Sequence, residues 1–133
     1  MKSETYEISK KDEDCLKMAA QAVAQAFDVD ADEVLGRSRT WPLVFARQTA
    51  YWLINKGMGY SYSKTGRMFS RHHQGIMHGV GKVIDVLELA DVNKNDNGSW
   101  ANQIKASHKN LIRFYLVYTE VKQEEVKDVV EVA

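Results

Sequence analysis

The segment RHHQGIMHGVGKV, Arg71 to Val83, places three histidines, three glycines and two cations within thirteen residues. That composition suits three chemistries: a histidine metal site, a glycine-rich phosphate loop, or a helix whose polar start reads nucleic acid. Spacing separates them. Two histidines on a helix share a zinc ion only at i, i+3 or i, i+4, whereas His73 and His78 are five apart and His72 and His78 six. His108 falls on a different expected helix, and Cys15 is the only cysteine. The nucleotide loop G-x-x-x-x-G-K-[ST] would need glycine at position 76 and Ser or Thr at 83, where the chain has Ile76 and Val83, with no strand expected before them. A hydrolytic triad needs an acid to orient its histidine, and none lies nearby in the sequence. No metal, cofactor or catalytic residue is therefore expected, and the chain reads as non-enzymatic.

The third reading needs a short helix, a tight turn and a second helix with a polar start. Ser61 is an N-cap candidate, Tyr62 to Phe69 is a short helix with Gly66 inside it, and Ser70-Arg71 is the turn. Ile76, Val80, Val83 and Leu87 then recur at i, i+4, i+7 and i+11, predicting a helix from His72 to about Ala90. Its glycines are expected to permit close helix packing, at about 1 kcal/mol each in helix propensity. Arg71, His72, His73 and Gln74 can all donate hydrogen bonds to base edges, and glutamine can pair with adenine through two of them. His78 is open to two readings, an exposed reader or a hydrogen-bonded core histidine.

Charge supports this reading through its distribution rather than its sum. Lys plus Arg balances Asp plus Glu at 18 each, yet from Val34 to Ile84 there is no acid at all. Arg37, Arg39, Arg47, Lys56, Lys64, Arg67, Arg71 and Lys82 give that block a charge of +8, and the flanks carry the compensating −8. A basic lobe between acidic ends is the electrostatic footprint of a polyanion partner.

The remaining chain, 44% apolar and with one proline, reads as all-α and as a single domain. Asp12 is expected to cap a helix running to Phe27, Asp30 and Glu33 a capping box for one turn at Ala31 to Leu35, and Pro42 the start of a central helix lasting to Gly57. Trp41, Trp52 and Tyr62 are expected in the core, and Met58 and Tyr60 in a glycine-broken loop. The boundaries are residues 1–11 as an N-terminal extension, 12–90 as the DNA-binding domain, 91–99 as a loop, 100–122 as a C-terminal helix packed on the domain, and 123–133 as an acidic tail. Extension, docking and fraying of that tail all remain open. No apolar run approaches the roughly 20 residues of a membrane span, and the polar N-terminus is unlike a secretory signal. A cytoplasmic, nucleoid-associated protein is expected.

Four blocks, FDVDADEVLGRSRT, ARQTAYWL, SYSKTGRMF and RHHQGIMHGVGKV, together resemble the C-terminal DNA-binding domain of the bacterial replication initiator DnaA. The resemblance runs from about Cys15 to Leu116 and implies a Trp-repressor-like helix-turn-helix of about six helices with a C-terminal helical extension. It implies base reading by Arg71, His72, His73, Gln74 and His78, and insertion of Arg37 or Arg39 into the minor groove. It also implies phosphate contacts from Arg47, Gln48, Ser61 and Lys82, to which the charge pattern adds Lys56, Lys64 and Arg67. The family signature Arg-Asp-His-Thr-Thr is altered here: His72 stands for the acid, and Gln74 and Gly75 stand for the threonines that contact thymine methyls. One residue is also missing in the turn before Arg71. The family's DNA-box sequence therefore does not carry over with the fold. Without an ATPase motif, the expectation is a stand-alone domain with double-stranded DNA as partner. The alternative is a protein-interaction module on the same scaffold, acting through the C-terminal helix or the acidic tail.

Overall fold

A computed structural model describes residues 8–92 and 100–132. Six α-helices follow in order: α1 (Lys10–Phe27), α2 (Ala31–Val34), α3 (Leu43–Trp52), α4 (Tyr62–Phe69), α5 (His73–Val92) and α6 (Ala101–Val132). No strand occurs among the described residues. A π-helical turn, Leu53–Gly57, closes α3. There Met58 N donates to Leu53 O at 2.9 Å, and Asn55 Nδ2 holds the Tyr60 carbonyl at 2.7 Å. No helix among the described residues is long and apolar enough to cross a membrane.

The core forms where the apolar stripes of α1, α3, α5 and α6 converge. Val23, Val34, Leu53, Ile54, Ile76, Val80, Val83 and Ile104 are its fully buried members. Helix α6 lies against α1, where Asn110 Nδ2 donates to Ala22 O at 3.1 Å and Trp100 stacks on Phe27 with ring centroids 5.5 Å apart. Helix α5 packs on α3 and α4, so its start is presented at the edge of the bundle.

Several local expectations change. The cap of α1 is Ser9, whose Oγ accepts Asp12 N at 3.1 Å, so the helix begins inside the expected N-terminal extension. Asp12 instead turns inward, 4% exposed, accepting Tyr60 Oη at 2.8 Å and facing Lys64 Nζ at 3.4 Å. Pro42 occupies the cap position of α3 rather than its first turn. Trp41, expected inside, is 56% exposed, because it caps the Phe45 and Trp100 rings from outside. Of the expected loop, Asp91 and Val92 belong to α5, and 93–99 lie outside the described residues. The expected tail from 123 continues α6 to Val132.

The Asp12 network ties the first turn of α1 to the entry of α4. Burial alone would raise the Asp12 carboxyl's pKa. The hydrogen bonds from Tyr60 and Lys64, the charge of Lys64 and the Ser9 contact together outweigh burial and hold it below its ordinary 3.8. Its stabilisation is therefore present above about pH 4 and is lost as pH falls through the lower folded-state value. Asp12→Asn should remove about 1–3 kcal/mol at pH 7. Denaturant titrations at pH 7 and pH 3 should find the gap between wild type and variant narrowed at the lower pH.

Candidate nucleic-acid interface

Helices α4 and α5 meet at a turn whose tightness is set by two backbone features. Ser70 closes α4 in the left-handed conformation, φ 56°, and Arg71 N donates back to Gly66 O at 2.7 Å. A Cβ at Gly66 would lie 2.6 Å from the Arg71 carbonyl, so only glycine lets the two helices approach this closely. The turn then hands over to α5 through His72. Its Nδ1 accepts Gln74 N at 3.2 Å, and its carbonyl accepts Gly75 N at 3.0 Å. His72, taken from the sequence as a base reader, is thus an N-cap doing the work an acid or serine does elsewhere. Its ring remains exposed and lies 4.4 Å from that of His73.

The outer face of α5 exposes His73, Gln74, Gly75, Met77, His78 and Lys82, while Ile76, Gly79, Val80 and Val83 turn inward. His78 is therefore a surface group, which resolves the open alternative against the core. Gly79 has a packing reason, since a Cβ there would stand 2.9 Å from Tyr51 Cδ2 and 3.0 Å from Gln48 Cγ. Gly75 and Gly81 have none, with nothing within 4 Å. The expectation that these glycines serve helix packing holds for one of the three.

Beside the turn runs the loop between α2 and α3, which carries Arg37 and Arg39, both exposed. Two arginines fasten it. Arg71 donates to Gly36 O at 3.1 Å. Arg47, expected at phosphate, is 6% exposed and donates Nε to Val34 O at 2.8 Å, one terminal nitrogen to Ser38 O at 2.8 Å and the other to Glu33 O at 3.0 Å. Its guanidinium is consumed internally, by carbonyls at the end of α2 and in the loop. Burial, and then the nearby Arg71 charge, lower its pKa, with Tyr51 acting in the opposite sense. Within the loop, Ser38 and Thr40 hydroxyls pair at 2.7 Å.

The other expected contacts divide. Ser61 caps α4, its Oγ accepting Lys64 N at 3.0 Å. Lys64, also expected at phosphate, has its ammonium drawn back to Asp12 and over the Tyr60 ring at 4.8 Å. Lys56 lies 5.8 Å from the Tyr62 ring centroid, and both Lys56 and Arg67 are exposed. Gln48 and Lys82 come together in one shallow cleft with Trp41. Trp41 and Met77, the latter 47% exposed on the outer face of α5, were not read as site residues. For Met77 the signal was available, since it lies off the Ile76, Val80, Val83 stripe. Among the described residues no group of three His, Cys, Asp or Glu side chains could hold a metal.

The model of the family described as bacterial DnaA protein helix-turn-helix matches residues 17–83. Similar curated proteins include chromosomal replication initiator protein DnaA 1 of Chlamydia trachomatis, 35% identical over 71 residues covering 53% of this chain and 16% of the relative. DnaA of Oenococcus oeni is 33% identical over 69 residues, covering 51% and 15%. DnaA of Thermomicrobium roseum is 35% identical over 72 residues, covering 53% and 16%. The chain thus spans about a sixth of the length of the curated relatives it matches.

Three substitutions test the frame. Arg47→Lys keeps the charge but cannot reach three divergent carbonyls, and should lose about 2–3 kcal/mol in denaturant unfolding, with faster amide exchange across residues 33–40. Gly75→Ala should raise stability by about 1 kcal/mol, whereas Gly66→Ala should lower it by more than that. Thermal melts of the two would separate a glycine the fold needs from one it does not.

Proposed function

We propose, since this chain belongs to the bacterial DnaA helix-turn-helix family, that it binds double-stranded DNA without catalysing a reaction on it. The observation that carries this reading is the joining of two exposed elements by one side chain. Arg71 ties the polar start of α5 to the loop that displays Arg37 and Arg39, inside a 51-residue stretch free of acids. A helix start and a basic loop held at a fixed offset suit adjacent major and minor grooves.

In this reading His73, Gln74 and His78 face base edges, and Arg71 shares its guanidinium between the loop and the groove. Met77 offers an apolar contact of the kind a thymine methyl takes. Arg37 and Arg39 enter the minor groove, while Lys56, Arg67, Lys82, Gln48 and the amides at the Ser61-capped start of α4 lie along phosphates. Arg47 acts by positioning the loop. Lys64 reaches phosphate only by leaving Asp12. Gln74 and Gly75 in place of threonines shift the preferred sequence away from the family's DNA box. A nucleoid location follows from such a partner.

Fluorescence anisotropy on a random labelled duplex and on a DnaA-box duplex, over a salt series, tests this. Affinity should fall steeply with salt, with a logarithmic slope of about −4 to −5 for roughly five phosphates neutralised. Arg37→Ala with Arg39→Ala should weaken both duplexes. Gln74→Ala should instead compress the discrimination between preferred and random sites, by about 1–3 kcal/mol. Absence of binding at low salt would remove the DNA reading altogether.

A further inference from the structure

Trp41 is 56% exposed, yet its ring is held from two sides. It stacks on Phe45 with centroids 5.4 Å apart and meets Trp100 edge-on at 5.4 Å. A ring fixed against the core in this way offers its free face to an outside partner with little further loss of freedom. Phe45 occupies the other face, so the indole is not available as a wedge between base pairs, which takes both faces of a ring.

The surroundings of the free face select its partner. Trp41 shares a shallow cleft with Gln48 on α3 and Lys82 on α5, and Phe45 and Val86 supply apolar lining. Lys82 is exposed and continues the outer face of α5 one turn beyond His78. Apolar groups beside a cation and an amide match one sugar-phosphate unit of a nucleic-acid strand. Deoxyribose presents C–H groups that pack on an aromatic face, and the adjoining phosphate takes the ammonium and the amide donor. Position agrees with chemistry. The loop between α2 and α3 is tied at Gly36 to Arg71 and comes down at Trp41 beside Lys82, so it follows α5 from its start to its third turn. A major groove holding α5 and an adjacent minor groove holding Arg37 and Arg39 are divided by one backbone strand, which must cross between helix and loop.

We propose, resting on the DNA reading above, that this cleft seats one sugar-phosphate unit of the dividing strand, its deoxyribose on Trp41 and its phosphate on Lys82 and Gln48. Trp41 then contributes affinity and register without reading sequence, since sugar and phosphate carry no base identity. Asp85 lines the same cleft, and its charge works against the phosphate there.

Two measurements on the intact chain test it. Proton–nitrogen correlation spectra contain indole signals from Trp41, Trp52 and Trp100, and Trp41→Phe identifies the first by its loss. Adding a random-sequence duplex should shift or broaden the Trp41 signal together with the amides of α5, and leave Trp52, which packs beside His108, in place. In anisotropy titrations Trp41→Ser should weaken random and DnaA-box duplexes by the same factor, about tenfold, with the salt slope unchanged. Asp85→Asn should tighten both duplexes, whereas Lys82→Ala should weaken both and reduce the slope by about one. Thermal melts report whether each variant is folded, and the wild-type titration stands without them. A Trp41 signal that stays in place while α5 amides shift overturns the proposal and leaves the DNA reading intact. A folded Trp41→Ser that changes the ratio between the duplexes, or an Asp85→Asn that alters neither, overturns it as well. Absence of any shift and of any binding at low salt removes both readings together.

Discussion

A cation buried without a carboxylate beside it organises the face of this domain. Arg47 sits in a part of the chain that contains no acid, so its guanidinium is compensated by peptide dipoles, the carbonyls of Glu33, Val34 and Ser38. A short helix such as α2 ends with carbonyls that have no partner within it. Arginine is the side chain whose planar fork reaches several of them at once. The loop beyond α2 is thereby pinned to α3 from one side, and Arg71 pins it to the turn from the other. Removing either tie would leave Arg37 and Arg39 on a loop with no fixed position relative to α5.

Around that clamp the helices are brought together by absence of side chain as much as by its presence. Gly66 lets the turn close, and Gly79 lets α5 settle against Tyr51 and Gln48. The outer face of α5 follows the opposite rule. Gly75 and Gly81 cost helix propensity there and relieve no crowding within the chain. Their effect is to leave the helix backbone uncovered between Gln74, His78 and Lys82. Stability and exposure of this face are therefore in opposition, and the internal packing of α3 and α5 supplies the margin.

The acidic flanks have a structural use beyond balancing the total charge. Asp12 reaches across from α1 to Tyr60 and Lys64 at the entry to α4, joining an acidic end of the chain to the basic block. That contact also restrains one of the cations the basic block offers.

Much of the fold was legible in the sequence, because helical periodicity, caps and breakers are local. Tyr62 to Phe69, the Ser70-Arg71 turn and the stripe from Ile76 to Leu87 follow from spacing and residue chemistry alone, and the acid-free block marks where positive charge accumulates. The uses of Asp12, Arg47, Lys64, His72 and Trp41 were not legible. A charged or aromatic side chain carries no mark of whether it faces solvent or a carbonyl arriving from a distant segment. Glu33, Val34 and Ser38 meet Arg47 only after α2 has folded over α3, and Tyr60 meets Asp12 only after α1 has packed beside α4. Sequence determined which helices form and where positive charge accumulates, since those depend on neighbours along the chain. Tertiary structure decided which of those charges remain available to a partner, since that depends on which unsatisfied backbone groups the packing brings within reach.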